Sequence, residues 1–588
     1  MRLAGIGFGR FRGAPLLALG GLVLVLASCA PGAAPGATPG GNSGSQASAG
    51  PKTLRFGVIA RNWPKDGIVN FSGIATISNN EDKFIFHAGL TAYDADSKVL
   101  PRIAQKVPET SDGDWKVFPD GQMEVTWRLR PNVKWHDGTP ATAGDFAFGL
   151  QVVQDPDSPL FRSDWAQLIT EVRTPDPSTL VVHWKETFIY GNVSGPSDIP
   201  ALPRHLMGPV YDAGDKPGFF NNSLWGSDFV GLGPYRLTDW VEGSRIEGAA
   251  FDDYFLGRPK IDRVIYQYFG EANGVMLALR SDAVDMTPMG SLEIPILLLV
   301  KNAWDANQGG TTYVQASRTR AYSFQFRSPD APWARDVRVR RALAMMLDRP
   351  ALVEALMGGM VSVADTLAPP NDPAFRLLEQ RGFPKYPFDL NQAEGLMREA
   401  GWTRTPGGAY RSATGEPFPF FDITFSDGAT NTQEAEALAG QWKTAGIEVA
   451  LSPVSQIAPT AVRDEGRHSS KGVAAFPRGG PDLQSVAEYT SAEIGTPANR
   501  FRTANRGGYS NPAYDRLYDQ ARVALEEGPR QALIADMLKI LADDLALIAG
   551  FYDSSTATAA VRKGIRGPVM PSALQPPIAW NIHEWEMD

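Results

Sequence analysis

Cysteine and histidine, the residues that most readily do chemistry in proteins, are scarce in this chain. Cys29 is the only cysteine among 588 residues, and it lies in a segment with no predicted fold around it, so we do not expect it to act as a nucleophile. No two histidines lie three or four residues apart, so no helix face presents a paired metal site. The histidines are His87, His136, His183, His205, His468 and His583. No G-x-S-x-G motif is present either, and the sequence predicts no catalytic residue, metal or cofactor.

Cys29 instead closes a stretch that is typical of an export signal. Three arginines and no acidic residue precede it, and the mostly apolar run from Ala14 to Ala27 follows them. This run is shorter than the roughly 20 residues that a transmembrane helix needs. The residues LASC at 26–29 resemble the bacterial lipobox, which implies cleavage before the cysteine and lipidation of its thiol. We predict a lipoprotein signal peptide over 1–28, with an ordinary signal peptide and an incidental cysteine as the alternative.

An uncharged segment rich in Ala, Pro, Gly, Ser and Thr follows the cysteine as far as Pro51. Such a segment buries too little apolar surface to fold, so 29–52 is predicted to be a lipidated, flexible tether. Its reach is on the order of 25 Å. We therefore expect an exported protein that is lipid-anchored at the outer face of the cytoplasmic membrane or in the periplasm.

The overall charge excludes one class of partner. The net charge is −9 and the pI is about 5.4, with no basic stripe, which argues against nucleic acid. With a single cysteine the chain has no disulfide framework, so the hydrophobic core must stabilise the fold. With 43% apolar residues, a chain of this length is ample for a core shared between two or three lobes.

Hydrophobic periodicity predicts a mixed α/β protein. Apolar and polar residues alternate over 123–130, which is typical of a half-buried strand, whereas 339–347 has apolar residues at helical spacing. Asp348 is then predicted to cap the next helix. In DLNQAEGLMREAGW, Asp389 is the predicted N-cap and Gly401 the predicted left-handed residue that ends the helix.

Two further stretches predict turns. The stretch VKWHDGTPATAGDFAFGLQ at 133–151 predicts a strand ending at Trp135, an Asp-Gly turn, and a helix entered through Thr142 and Asp145. GLGPYR at 231–236 lacks the third glycine and the lysine of a phosphate-binding loop, so a turn between strands is the better interpretation.

The stretch at 133–151 resembles the signature of the bacterial extracellular solute-binding proteins of family 5, the dipeptide, oligopeptide and nickel type that serves ABC importers. Further motifs stand in the order of that family. They are LPRIA (100–104), WRLRPNVKW (127–135), LPRHL (202–206), GLGPYRL (231–237), NGVMLALRSDAVDM (273–286), DVRVRRALAMMLDRPALVEAL (336–356), DLNQAEGLMREAGW (389–402), QWKTAGIEV (441–449) and YSNPAYDRLYDQA (509–521).

The resemblance implies a hinged, two-lobed α/β fold of the periplasmic-binding-protein type II, with an extra subdomain on the first lobe. Transferred to this chain, lobe I combines 53–75, 200–312 and 550–588, the extra subdomain covers 76–199, and lobe II covers 313–549. A peptide or other small solute would bind in the cleft of a monomer, and the closed form would dock on a permease that is driven by its ATPase subunits. Such a receptor is not an enzyme.

The resemblance leaves the ligand open. Peptide-binding relatives carry an aspartate three residues after a tryptophan in lobe II, where it pairs with the amino group of the peptide. In AAFPRGGPDL at 474–483, Phe476 stands at the tryptophan position and Gly479 at the aspartate position. Three hypotheses follow: Asp482 supplies the anchor, Arg478 faces an anionic or sugar-like ligand, or both charges are solvated in a Pro-Gly turn.

Two aromatic residues, Trp63 and Tyr489, are further candidates for ligand contact, with core packing as the alternative for each. The charged residues of DVRVRR at 336–341 are predicted to form a solvated helix face. Two other function classes remain: a secreted hydrolase, glycosidase-like or peptidase-like, whose paired carboxylates the sequence does not reveal, and a sensory or chaperoning lipoprotein with the same fold.

Overall fold

The computed structural model describes residues 50–59, 81–157, 164–196, 198–316, 318–370, 372–480, 482–553, 557–571 and 577–588. Pro51 to Asp588 form one compact unit. The predicted signal peptide, with Cys29 and nearly all of the predicted tether, lies outside the described residues. None of the described helices has the length and apolar character needed to cross a membrane.

The first part of the chain contains β1 (Thr53–Ile59), α1 (Glu81–Phe86), β2 (Thr91–Tyr93), β3 (Val99–Pro101), β4 (Trp115–Val117), β5 (Met123–Arg128), α2 (Ala143–Gln154), a 3₁₀ helix (Asp164–Leu168), β6 (Ile169–Asp176) and β7 (Thr179–Trp184). Strands β4 to β7 form an antiparallel sheet in the order β4-β5-β7-β6. This sheet and α2 share one hydrophobic core, which we call the core of the extra subdomain.

The chain continues through α3 (Arg204–Asp212), α4 (Lys216–Phe220), a 3₁₀ helix (Ser223–Trp225), β8 (Tyr235–Val241), β9 (Arg245–Ala250), β10 (Arg263–Phe269), α5 (Ala272–Arg280), α6 (Ile294–Asn307) and β11 (Gly310–Val314). The strand β1 returns here, because it pairs in parallel with β10 in a sheet of order β1-β10-β9-β8. We call the part of the structure built on this sheet lobe I.

The next segment contains β12 (Arg318–Phe324), α7 (Pro332–Arg335), α8 (Val337–Met345), α9 (Arg349–Met357), α10 (Pro373–Arg381), α11 (Leu390–Glu399), β13 (Trp402–Arg404), β14 (Tyr410–Ser412), β15 (Phe421–Ser426), α12 (Ala429–Thr444), β16 (Val449–Val454), α13 (Thr460–Arg467), β17 (Val473–Arg478), α14 (Leu483–Ala487), a 3₁₀ helix (Ser491–Glu493), α15 (Pro512–Ala521), α16 (Glu527–Asp543) and β18 (Leu547–Asp553). Its five-stranded sheet has the order β16-β15-β17-β12-β18 and defines lobe II. The two faces of this sheet bury separate cores: Tyr322 points into one and its neighbour Ala321 into the other.

The chain ends with β19 (Thr558–Arg562), β20 (Ile565–Arg566), a 3₁₀ helix (Ile578–Glu584) and β21 (Glu586–Met587). Strand β19 pairs with β11 in lobe I, and β12 pairs with β18 in lobe II. Two adjacent connections, β11 to β12 and β18 to β19, therefore join the lobes. The resemblance places the limits between lobe I and lobe II at 312/313 and 549/550, and these positions fall inside β11 and β18. The ends of these strands place each connection a few residues further along the chain.

The predicted strand of the extra subdomain is confirmed, because β5 runs from Met123 to Arg128 and its residues alternate between buried and partly exposed. The predicted strand ending at Trp135 is wrong: only an isolated bridge joins Lys134 to Pro140, since the chain turns back at once. Helix α2 begins as predicted, and the Thr142 amide donates to the Asp145 carboxylate at 2.7 Å.

The helices predicted in lobe II are also confirmed. The Asp348 carboxylate accepts from the Ala351 amide at 3.0 Å at the start of α9, and Asp389 caps α11 in the same way. Gly401 ends α11 with a φ of +88°, the left-handed conformation that favours glycine. The solvated face predicted for 336–341 is wrong in part, because Arg340 is buried and donates to the carbonyls of Asp544 and Trp333.

The glycines of GLGPYR serve close packing before β8. A Cβ atom at Gly233 would lie 2.4 Å from the backbone of Ile85 and His87, and one at Gly231 would lie 2.0 Å from the Phe86 carbonyl oxygen. Only glycine permits this approach of two backbones. The segment bends into β8 as expected, but a 3₁₀ helix rather than a strand precedes it, so the prediction of a turn between two strands is wrong.

Candidate functional site

The edge of the lobe II sheet that faces lobe I is identified by the chain connections. Strand β12 begins there and β18 ends there, since both run directly into the connections to lobe I. Strand β17 is antiparallel to β12, and its last residue, Arg478, pairs with Thr319. Arg478 therefore lies at this edge, together with the segment that follows it.

Arg478 is buried and paired. Its side chain is 3% exposed, and Nη1 donates to Oε2 of Glu488 at 3.0 Å. The guanidinium carbon lies 6.0 Å from the centre of the Tyr489 ring. The hypothesis that Arg478 is solvated is wrong, because the sheet edge and the helix that follows cover it.

Asp482 has a structural partner of its own. Its carboxylate accepts from the Ser485 amide at 2.7 Å, so it is the N-cap of α14. Burial raises the pKa of Asp482, while the hydrogen bonds from Ser485 hold it down. One carboxylate oxygen of Asp482 therefore accepts a hydrogen bond at the start of α14. The role of Asp482 as an anchor for a solute stays a prediction.

Phe476 and Tyr489 are both buried next to Arg478. Phe476 pairs with Ala321 on the neighbouring strand, and Tyr489 packs with Leu483 in the core of that face. Their burial agrees with core packing, yet each also borders a guanidinium group, so contact with a solute stays a prediction for both. Trp63 lies outside the described residues.

The extra subdomain reaches lobe II at this place. Ile189 is buried in the lobe II core beside Leu483 and Tyr489. Burial and the charge of Asp482 raise the pKa of Tyr190 to about 12, so this phenol also lies close to the lobe II segment. The two lobes thus meet across a contact that includes two of the predicted site residues.

Sequence reasoning missed Arg506, the closest cation to Phe476. Its guanidinium carbon lies 4.2 Å from the centre of the Phe476 ring. Burial, together with repulsion by Arg478 and Arg467, lowers the pKa of Arg506 well below its usual range. No spacing in the sequence connects residues 478 and 506, because the fold alone brings the loop before α15 against the end of β17.

A metal centre finds no support in the described part of the chain, where no group of three or more His, Cys, Asp or Glu side chains is placed to hold an ion. His468, the histidine nearest this region, hydrogen-bonds to Arg327 and to the Thr503 carbonyl. Burial and the neighbouring arginines lower the pKa of His468 to about 4, which keeps the ring neutral at pH 7.

The lobes, their paired connections and the contact between them define a two-lobed solute-binding protein of type II. The model of the bacterial extracellular solute-binding proteins, family 5, matches residues 105–492. The chain belongs to this family.

The chain is also similar to curated relatives in sequence and to solved structures in fold. A putative ABC transporter peptide-binding protein of Brucella ovis is 27% identical over 301 residues, which are 50% of this chain and 52% of the relative, so the chain spans about half the length of that protein. Protein XP55 of Streptomyces lividans is 28% identical over 465 residues, 78% of this chain and 76% of the relative. The oligopeptide-binding protein of Thermus thermophilus, solved with a pentapeptide, has a TM-score of 0.64 at 22% identity, covering 92% of this chain and 97% of that one.

Proposed function

We propose that this chain is the solute receptor of an ABC importer and that it captures a small peptide or peptide-like solute between its lobes. The observation that carries the proposal is the contact of Ile189 and Tyr190 with the lobe II segment around Leu483. A solute held there touches both lobes, so it favours the closed form and shifts the population toward it. The closed form then docks on a permease, and no covalent chemistry is needed.

The peptide part of the proposal draws on the relatives. The Brucella protein is named as peptide-binding, and the Thermus structure holds a pentapeptide. The Thermus protein resembles this chain in fold, with a TM-score of 0.64, which supports a solute of similar size between the two lobes.

The test is to purify the full-length chain in detergent, identify co-purifying compounds by native mass spectrometry, and titrate peptides while following thermal unfolding. A receptor gains about 2.7 kcal/mol when the solute reaches a hundred times its dissociation constant. We expect peptides to raise the melting temperature and to be recovered intact. Cleaved peptides would point to the hydrolase instead, and peptides that neither bind nor react would contradict the proposal.

We also propose that a lipid on Cys29 holds the receptor at the membrane, with 29–52 as the tether. The support is the lipobox-like LASC and the uncharged segment behind it. More than one acyl chain is needed for stable anchoring. Cys29→Ser should move the protein from the membrane to the soluble fraction without changing solute affinity, and Ser43→Ala in the same tract is the control. Retention of Cys29→Ser in the membrane fraction would refute the anchor.

A further inference from the structure

An excess of positive charge surrounds the end of β17, although the chain as a whole is acidic. Arg467, Arg478 and Arg506 lie close enough to repel one another, which adds to burial in lowering the pKa of both Arg467 and Arg506. Glu488 is the carboxylate within ion-pair distance of Arg478, at 3.0 Å, and Asp464 lies 4.0 Å from Arg467. We call the three arginines the arginine cluster.

Arg506 is the member of the arginine cluster that has no described carboxylate within ion-pair distance, although the charge of Glu488 acts on it from further away. No described residue forms a salt bridge or a side-chain hydrogen bond with it, and its buried Nε has no acceptor. The cation lies against the Phe476 ring, and the residue as a whole stays partly exposed. A cation held this way destabilises the fold until a counter-ion arrives.

Arg327, on the same side of the sheet, shows how a purely structural arginine is treated in this fold. Its nitrogens donate to the carbonyl oxygens of Arg506, Asn505 and Gly495, at 2.7, 3.2 and 3.2 Å. Burial lowers the pKa of Arg327, but acceptors surround its guanidinium. The described structure thus surrounds the guanidinium of Arg327 with acceptors and provides no acceptor for the buried Nε of Arg506.

The arginine cluster lies near the place where the lobes meet. Arg478 ends the strand at the edge that faces lobe I, and its guanidinium carbon is 6.0 Å from the centre of the Tyr489 ring, which belongs to the same hydrophobic core as Ile189 of the extra subdomain. A Cβ atom at Gly480 would find no heavy atom of the described residues within 4 Å, so they leave space just beyond Arg478.

We propose that Arg478 and Arg506 bind an oxyanion of the solute, so that the receptor prefers acidic solutes over neutral ones. Arg506 supplies the unpaired donors, Arg478 adds a second positive charge that Glu488 only partly offsets, and Phe476 and Tyr489 exclude water beside the anion. Charge-assisted hydrogen bonds of guanidinium to carboxylate or phosphate are among the strongest in proteins. This inference rests on the proposed function, because it names the chemical class of the solute in the same cleft.

The test compares matched acidic and neutral probes by calorimetry on the full-length protein. The pairs are C-terminally amidated Ala-Glu-Ala and Ala-Gln-Ala, amidated Ala-phosphoserine-Ala and Ala-Ser-Ala, and succinate and succinamide. We expect the acidic member to bind at least about tenfold more tightly, since a hydrogen bond to a charged group contributes about 1.5–3 kcal/mol. The first two pairs separate a carboxylate from a phosphate as the preferred oxyanion.

Arg506→Gln should abolish this preference while raising the melting temperature of the solute-free protein by about 1 °C or more, because the variant removes a repelled cation. Arg502→Gln removes an exposed arginine of the same loop and should change neither quantity. Arg478→Gln is a second variant, expected to weaken the preference but to lower stability, since it leaves Glu488 unpaired.

The outcomes separate the two proposals. Equal binding of acidic and neutral peptides, or a preference that survives Arg506→Gln, would overturn the oxyanion site and leave the peptide receptor standing. Binding of succinate alone, lost in Arg506→Gln, would support the oxyanion site and contradict the peptide proposal. If no probe of either kind binds, both proposals are wrong.

Discussion

Two buried arginine sites occupy opposite faces of the lobe II sheet, and their charges are compensated to very different extents. On one face Arg320 forms an ion pair with Glu434, a hydrogen bond to Asn431 and a longer contact of 3.8 Å with Asp553. On the other face Arg478 has one carboxylate and Arg506 has none among the described residues. Because Arg320 pairs in register with Pro477, directly before Arg478, the two sites are close neighbours at the same sheet edge.

The difference separates a structural from a functional use of the same side chain. A buried cation that has all its partners holds elements together, and here Arg320 joins β12 to α12 through Glu434. A buried cation without a partner costs free energy and is useful only if something else supplies the anion. We therefore expect changes at the first site to alter stability and changes at the second to alter binding.

The largest effect is expected at Glu434. Replacing Glu434 with alanine leaves Arg320 buried without its closest carboxylate. The change also removes the acceptor of the Tyr322 hydroxyl, which lies 2.9 Å from Oε1 of Glu434. We expect Glu434→Ala to lower the free energy of unfolding by about 3–5 kcal/mol, measured by urea denaturation. Glu436→Ala, an exposed carboxylate on the same helix, is the control and should stay within about 0.5 kcal/mol. If Glu434→Ala lowers the free energy of unfolding by less than about 1 kcal/mol, the proposed difference between the two arginine sites is wrong.

The next effect concerns the contact between the lobes. Ile189→Ala removes apolar surface that the extra subdomain buries in the lobe II core. We expect solute affinity to fall about tenfold or more, because large-to-small changes at buried sites cost about 2 kcal/mol or more and this one falls on the closed form. Val117→Ala, at an exposed position of the extra subdomain, is the matched control. Unchanged affinity in calorimetry would show that closure does not depend on this contact.

At Glu488 we expect two smaller effects of opposite sign: lower stability of the fold and tighter binding of acidic probes. Its side chain is 26% exposed, so Glu488→Gln should cost only about 1–2 kcal/mol of stability. The same change removes a carboxylate that competes for Arg478 and should tighten the binding of acidic probes. Glu465→Gln, exposed on α13 near Arg467, provides the comparison. Weaker binding of acidic probes by Glu488→Gln would mean that Glu488 itself contacts the solute.

The smallest effect is a change in pH dependence at Asp372, the N-cap of α10, which accepts from the Ala374 amide at 2.7 Å. Burial raises the pKa of Asp372 from 3.8 to about 6. An acid with a raised pKa in the fold contributes stability at low pH that is lost as the pH rises through about 6. Asp372→Asn keeps the cap and should flatten this part of the profile by on the order of 1 kcal/mol.

Asp389→Asn makes the same substitution at the exposed N-cap of α11 and is measured alongside as the control for replacing a capping residue. Equal profiles for Asp372→Asn and the unchanged protein would show that the buried cap does not titrate in this range.

Local features could be predicted well from the sequence because they depend on neighbouring residues. Asp348 and Asp389 cap helices within three residues of themselves, and Gly401 takes the left-handed conformation readily because it has no side chain. The family and its two lobes could be predicted from the order of many short motifs along the chain. This order can be read from the sequence without knowing any tertiary contact. The burial of Arg340 could not be predicted, because Asp544, whose carbonyl accepts from it, lies 204 residues further along the chain.

The sequence by itself determined the class of protein, the helix ends at Asp348, Asp389 and Gly401, and the segment 474–483 that contains Arg478. Only the tertiary structure decided which charges are compensated. Arg320 finds Glu434 and Arg506 finds Phe476 through sheet pairing and loop packing across distant parts of the chain. The free energy of a buried charge depends on everything within a few ångströms of it, and sequence distance carries no information about those neighbours.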